Sequence, residues 1–192
     1  MLVTRDKVAA LTAAKSPRVD SSFGADGTAA SVRATVGVDF ANLLGDLPNT
    51  LHCLPCEANW SMHHLLRYLV EKAVWPRVWL TSWTISEAPM RAILQMVDEG
   101  LIMPPRCVFD DRVAKQNPNA SQLAFANIAH IGLTGIHAKC MVVIGSKRSF
   151  TVCSTANITR NKRRELYWIC TDAGVAEFHA GWVDDMLKDC GQ

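Results

Sequence analysis

No apolar run in this 192-residue sequence approaches the roughly 20 residues a membrane span requires. Neither a membrane-spanning protein nor stable membrane association is therefore expected. The N-terminal apolar stretch 8–14 is short and interrupted by Thr12, so it does not read as a secretory leader. Charge of one sign is not in excess: 20 Lys and Arg stand against 18 Asp and Glu, for a net charge of +2. Global charge thus announces no nucleic-acid binder. The seven cysteines are an odd number, and Cys107, Cys140, Cys153 and Cys170 sit inside apolar runs. That excludes a disulfide framework as the organising device and fits free thiols in a reducing, cytoplasmic setting. No internal repeat is present.

What is present is globular: 49% hydrophobic and 20% charged residues, in a length that fits one domain with a real core. Residues 1–36, rich in Ala, Ser, Thr, Asp and Gly, read as a flexible N-terminal segment: at most a short helix over 5–14, then a linker over 21–30. The folded domain is expected over 37–192. There apolar β-like runs alternate with helical spacing. Strands are expected at 51–56, 78–85, 106–109, 136–144, 150–154 and 166–171. Helices are expected from Asn59 or Ser61 to Val74, from Ser86 to Gly100, over 121–129 and over 175–187. This order implies an α/β fold, a mixed β-sheet flanked by helices on both faces.

The chemistry concentrates in the stretch 135–170. His137 and Lys139 head one β-like run, and on a strand two residues that far apart share a face. Ser154, Thr155 and Asn157 end the next run, with a hairpin between them over 145–148. Glu165 follows. A histidine nucleophile, a lysine and an asparagine amide are what is needed to attack and hold a phosphodiester. Glu165 is expected to accept from the second ring nitrogen of His137 and to fix its tautomer. The charge distribution agrees. Between His137 and Thr171 there are seven basic residues (Lys139, Lys147, Arg148, Arg160, Lys162, Arg163 and Arg164) and one acid, Glu165. An anionic substrate would be drawn there, with Arg160, Lys162, Arg163 and Arg164 tracking its phosphates and Ser154 and Thr155 offering hydroxyls. Alone, such a charge run is more often a solvated face.

Together these residues resemble the catalytic motif of the phospholipase D superfamily: His-x-Lys, four residues, Asp, six residues, Gly-Ser-x-Asn. Three departures stand out. Ile144 occupies the Asp position, the spacer from Lys139 to Asn157 is three residues longer, and Ser154-Thr155 replaces Gly-Ser. The resemblance implies a phospholipase D-like α/β/α sandwich and a two-step reaction through a phosphohistidine, with no metal and no cofactor. It also implies two histidines, and this chain holds one His-x-Lys. His52, His63, His64, His130 and His179 all lack a Lys two positions on. By resemblance to the short single-motif members, two copies would pair about a two-fold axis, each giving His137, Lys139, Asn157 and Glu165 to one cleft.

The expected function is therefore a metal-independent endonuclease acting on DNA or RNA as a homodimer. The alternatives are a lipid phosphodiesterase of the same fold, or a nucleic-acid-binding module with a degenerate site. Other constellations weigh less. His52, Cys53, Cys56 and His63 are zinc-like in composition, but no second Cys pair follows and packed thiols are the default. Asp110-Asp111 suggests a divalent-metal nuclease, although a solvated strand end is the plainer reading. Trp79 and Trp83 are placed on one strand face, where they would stack bases or fill core. Ser82, on the other face, is a weak site candidate.

Overall fold

The computed structural model describes residues 20–23, 27–30, 51–57, 60–160 and 163–191. Among the described residues there are nine strands and five helices. A short antiparallel hairpin, β1 (Asp20–Phe23) with β2 (Gly27–Ala30), falls within the segment read as linker. The helix expected over 5–14 lies outside the described residues.

A seven-stranded mixed sheet carries the rest. It contains β3 (Leu51–Glu57), β4 (Arg77–Ser82), β5 (Arg106–Asp110), β6 (His130–Thr134), β7 (Cys140–Ile144), β8 (Ser149–Ser154) and β9 (Arg164–Cys170) in the order β3-β9-β8-β7-β4-β5-β6. The β4, β5 and β6 strands are parallel, and all other pairings are antiparallel.

Both faces of the sheet are covered, so its central strands are apolar throughout. In β7, Met141 and Val143 join the large core, while Cys140 and Val142 join the second one. The large core lies under α1 (Met62–Ala73), α2 (Glu87–Asp98) and α4 (Pro118–Asn127), with the single turn α3 (Val113–Gln116) before α4. The second core lies under α5 (Ala173–Asp189), which buries Ala176, Ala180, Val183 and Leu187. The amphipathic spacing of these helices dictates those faces.

Local signals set the ends. Asp172 caps α5, its carboxylate accepting from the Val175 amide at 2.9 Å. Gly100, at φ +69, closes α2: its amide donates to Val97 O and that of Leu101 to Met96 O, both at 2.9 Å. Among the described residues, no helix is long and apolar enough to cross a membrane.

One expected element is wrong. The run 136–144 is not a single strand: β6 ends at Thr134 and β7 starts at Cys140. The order of the strands explains the break. The chain must pass from β6, at the sheet edge, over the ends of β5 and β4 to reach β7. That crossing is three strand spacings, about 14 Å, and the residues between can span it only when extended. His137 and Lys139 therefore lie on a crossing segment rather than on a strand.

Candidate active site

The crossing segment 135–139 lies over the C-terminal ends of the parallel strands, where α/β sheets place their ligand sites. The antiparallel β8 ends at the same edge with Ser154, and β9 begins there with Arg164. One sheet edge thus gathers the residues from His137 to Glu165.

Thr81 holds the segment. Its buried hydroxyl donates to Ala138 O at 3.2 Å and accepts from the Cys140 amide at 3.0 Å, replacing ladder bonds where β7 leaves β4. On the other side the Ser154 amide donates to Lys139 O at 3.0 Å. His137 and Lys139 project together as expected. The Lys139 Nζ lies 3.2 Å from both Nδ1 and Nε2 of the imidazole, aligned with neither lone pair. Burial lowers the Lys139 pKa, and the Glu165 charge opposes that shift.

An open groove of about 590 Å³ runs above this pair. Its floor is His137, Lys139, Cys140 and Cys153; Ser154 and Thr155 form one wall. The other wall is α5, through His179 and Trp182.

The other expected site residues are distributed unevenly. Thr155 lines the groove, but its hydroxyl donates to Glu165 Oε2 and accepts from the Leu166 amide at 3.0 Å. Its hydroxyl thus braces Glu165 against the start of β9. Glu165 thereby gains a partner the sequence did not indicate. Ser154 Oγ accepts from the Ala156 amide at 2.7 Å and closes the turn.

Asn157 is not among the groove-lining residues. Ser82 sits 3.4 Å from its Oδ1. The Ser82 proton is committed to Thr84 O at 2.6 Å, and Ser82 also accepts from the Ile158 amide at 3.0 Å. Ser82 is thus a buried staple that fixes the Asn157 turn rather than a reacting hydroxyl. Arg160 is exposed and its amide donates to Ser86 Oγ at 3.1 Å, beside α2. Arg163 and Arg164 are exposed at the start of β9, and Lys162 lies outside the described residues. Ile144, in the motif's Asp position, packs against the second core at the opposite end of β7.

Two groups were missed or misread. Asp110 is no solvated strand end: it is buried, while Asp111 is exposed. Arg112 binds it twice, at 2.6 and 3.0 Å, and these bonds are the main reason its carboxyl is held down at about 2. Asp110 also accepts from the Ile136 amide, one residue before His137. The Arg112 guanidinium lies over the Trp83 ring at 5.3 Å, and Trp83 meets the His137 ring edge-on at 5.6 Å. Trp83 lies beyond the end of β4, not on a strand face with Trp79. Trp79 is buried, its indole donating to Asp184 at 2.7 Å. A chain of contacts from Asp110 through Arg112 and Trp83 therefore supports the imidazole from behind. Asp-x-Arg after a strand is the signal that could have found it.

Of the zinc-like group, the side chains of His52 and Cys53 lie outside what the structure describes. Cys56 donates to Trp60 O at 3.1 Å and His64 Nδ1 accepts from the Ser61 amide at 3.0 Å. Burial lowers the pKa of His63 to about 4. Among the described residues no group of three or more His, Cys, Asp or Glu could hold a metal ion.

Solved structures settle the fold. NucT from Helicobacter pylori matches 73% of this chain and 98% of its own, at 15% identity and a TM-score of 0.51. Nuc from Salmonella typhimurium, a phospholipase D family member, matches 64% of this chain and 86% of its own, at 17% identity and a TM-score of 0.46. The chain shares the fold of NucT. Yeast tyrosyl-DNA phosphodiesterase also aligns, over 63% of this chain and 46% of its own, at 9% identity and a TM-score of 0.43. No family model and no curated protein matches the sequence. In this fold the groove lies at the sheet edge where the His-x-Lys segment crosses.

Proposed function

We propose that this chain is a metal-independent phosphodiesterase that cuts DNA or RNA through a phosphohistidine on His137, in a cleft completed by a second copy. The observation that carries the reading is the exposed His137 imidazole with the Lys139 ammonium 3.2 Å away, on the floor of an open groove.

In the proposed reaction a ring nitrogen of His137 attacks phosphorus, and the bond to the leaving oxygen breaks as a second histidine protonates it. That histidine then takes a proton from water, which attacks phosphorus and frees His137. Lys139 moves from the imidazole to a phosphate oxygen. Partial burial leaves its charge underhydrated, which strengthens that contact. Glu165 keeps Lys139 charged and is itself held by Thr155. Asn157, held by Ser82 in the turn after β8, donates its amide to the phosphate. Arg160, Arg163 and Arg164 leave the same sheet edge and favour a polyanion over a lipid headgroup.

The second histidine comes from the partner's His137. Phe178 and Trp182, exposed on α5 beside the groove, supply apolar surface for such a pair. A second reading rests on His179. It lines the groove of the same chain, with Nδ1 2.9 Å from Val175 O. In that reading a monomer holds both histidines.

The test is turnover in EDTA on single- and double-stranded DNA, RNA and phosphatidylcholine vesicles. Cleavage of a nucleic acid in EDTA, with intact vesicles, is the expected result. Activity that EDTA abolishes, or vesicle hydrolysis alone, would overturn the reading; binding without turnover would leave the degenerate binding module in its place.

A further inference from the structure

Six cysteines are free among the described residues, and two of them differ from the rest in placement. Cys56 and Cys107 are buried in the large core, and Cys190 donates its thiol to Leu133 O at 3.4 Å. Cys140 and Cys153 are direct cross-strand partners on β7 and β8. The register can be taken further. The Ser154 amide bonds Lys139 O, so Lys139 and Ser154 form the hydrogen-bonded pair. Cys140 and Cys153 are then the adjacent non-hydrogen-bonded pair. In such a pair the Cα atoms stand about 4.5 Å apart and the side chains are at their closest. A disulfide spans Cα separations of about 4.4 to 6.8 Å.

Both thiols face α5 and floor the groove beside Lys139 and His179. Their exposure is unequal: Cys153 is open to solvent and Cys140 is 3% exposed. The Cys140 thiol donates to the Cys153 sulfur, and with His179 nearby this lowers Cys153 to about 6 while Cys140 is pushed up. Burial alone keeps Cys107 far above the ordinary thiol range. One accessible sulfur poised to react therefore lies against one covered sulfur poised to follow.

We propose that Cys153 is a peroxide-reactive thiol on the groove floor, and that Cys140 resolves it into an intrachain disulfide. The Cys153 thiolate attacks one oxygen of a hydroperoxide. The O–O bond breaks, the departing oxygen takes a proton and leaves as an alcohol or water, and Cys153 becomes a sulfenic acid. Cys140 then loses its proton and its sulfur attacks that of Cys153. The S–O bond breaks and hydroxide leaves with the Cys140 proton as water. The two thiols lose two electrons and the hydroperoxide gains them. The crosslink ties β7 to β8 next to Lys139 and Ser154, within the site.

The test reads the thiols themselves and is independent of any phosphodiesterase activity. Reduced protein at neutral pH is treated with equimolar hydrogen peroxide, blocked with iodoacetamide, digested and mapped by mass. The expected product is a peptide joining Cys140 to Cys153, lighter by two hydrogens and restored by dithiothreitol. In Cys140→Ser, dimedone should trap a sulfenic acid on Cys153, several-fold faster than on Cys170 or Cys190. The proposal is overturned if wild-type protein crosslinks a different pair, or if Cys153 oxidises no faster than Cys170 and Cys190.

Discussion

His137 is exposed, and an exposed imidazole has many rotamers, so its aim must come from its neighbours. Trp83 meets its ring edge-on, Arg112 lies over Trp83, and Asp110 holds both Arg112 and the Ile136 amide. Asp110→Asn keeps the shape and removes the charge that anchors Arg112. We expect kcat to fall about tenfold with KM little changed, because the proposed nucleophile is misplaced rather than removed. A second readout follows from the carboxyl held at about 2. Its folded pKa lies below its unfolded value near 4, so its stabilisation is present above that pH and is lost as pH falls toward 2. Acid unfolding of Asp110→Asn should therefore be flatter than wild type between about pH 4 and 2. Unchanged kcat and an unchanged acid limb would reduce Asp110 to a strand end. At this scale the sequence carried His137 and Lys139 as a pair, since their spacing alone brings them together. It did not carry the roles of Thr155 and Glu165, which depend on the β8–β9 register, nor that of Asp110, whose link to His137 runs through Arg112 to Trp83, a residue remote in sequence.

The elements were legible where amphipathic spacing and caps agree. Helices α1, α2 and α5 fall close to their expected bounds, with Ser61, Ser86 and Gly100 at the ends. β6 was missed because HIGLT is short, mostly half-buried and interrupted by Gly132, while a longer apolar run follows. A Cβ at that glycine would meet Cys190 Sγ at 2.9 Å, so the Cys190 side chain would have to shift. The β7–β8 turn docks on the end of α1, where the Ser146 and Lys147 amides donate to Val74 O and Ala73 O at 3.0 Å. At Gly145 a Cβ would lie 2.2 Å from the Ala73 carbonyl oxygen, a backbone atom that cannot swing aside. Gly145→Ala should cost about 1–3 kcal/mol, a melting temperature lower by roughly 2–10 °C. Turnover of the folded fraction should persist, because this turn and His137 lie at opposite ends of β7. A melting point equal to wild type would contradict the docked turn.

At the scale of the molecule, a sheet covered on both faces was readable from its uninterrupted apolar strands. The crossing from β6 to β7 was not, because strand order is a long-range property that local patterns do not encode. That crossing sets the site at one sheet edge and leaves Phe178 and Trp182 exposed beside it. Sedimentation should give twice the 21.1 kDa chain mass, and mixing in a His137→Ala chain should depress activity below simple dilution. A fully active monomer that loses activity in His179→Ala would transfer the acid role to α5. The most direct test of the central claim is the rate of nucleic-acid cleavage in EDTA by wild type and by folded His137→Ala. The account predicts that wild type cleaves and that the variant is slower by about a thousandfold or more while still binding substrate. Equal rates for the two proteins would contradict it.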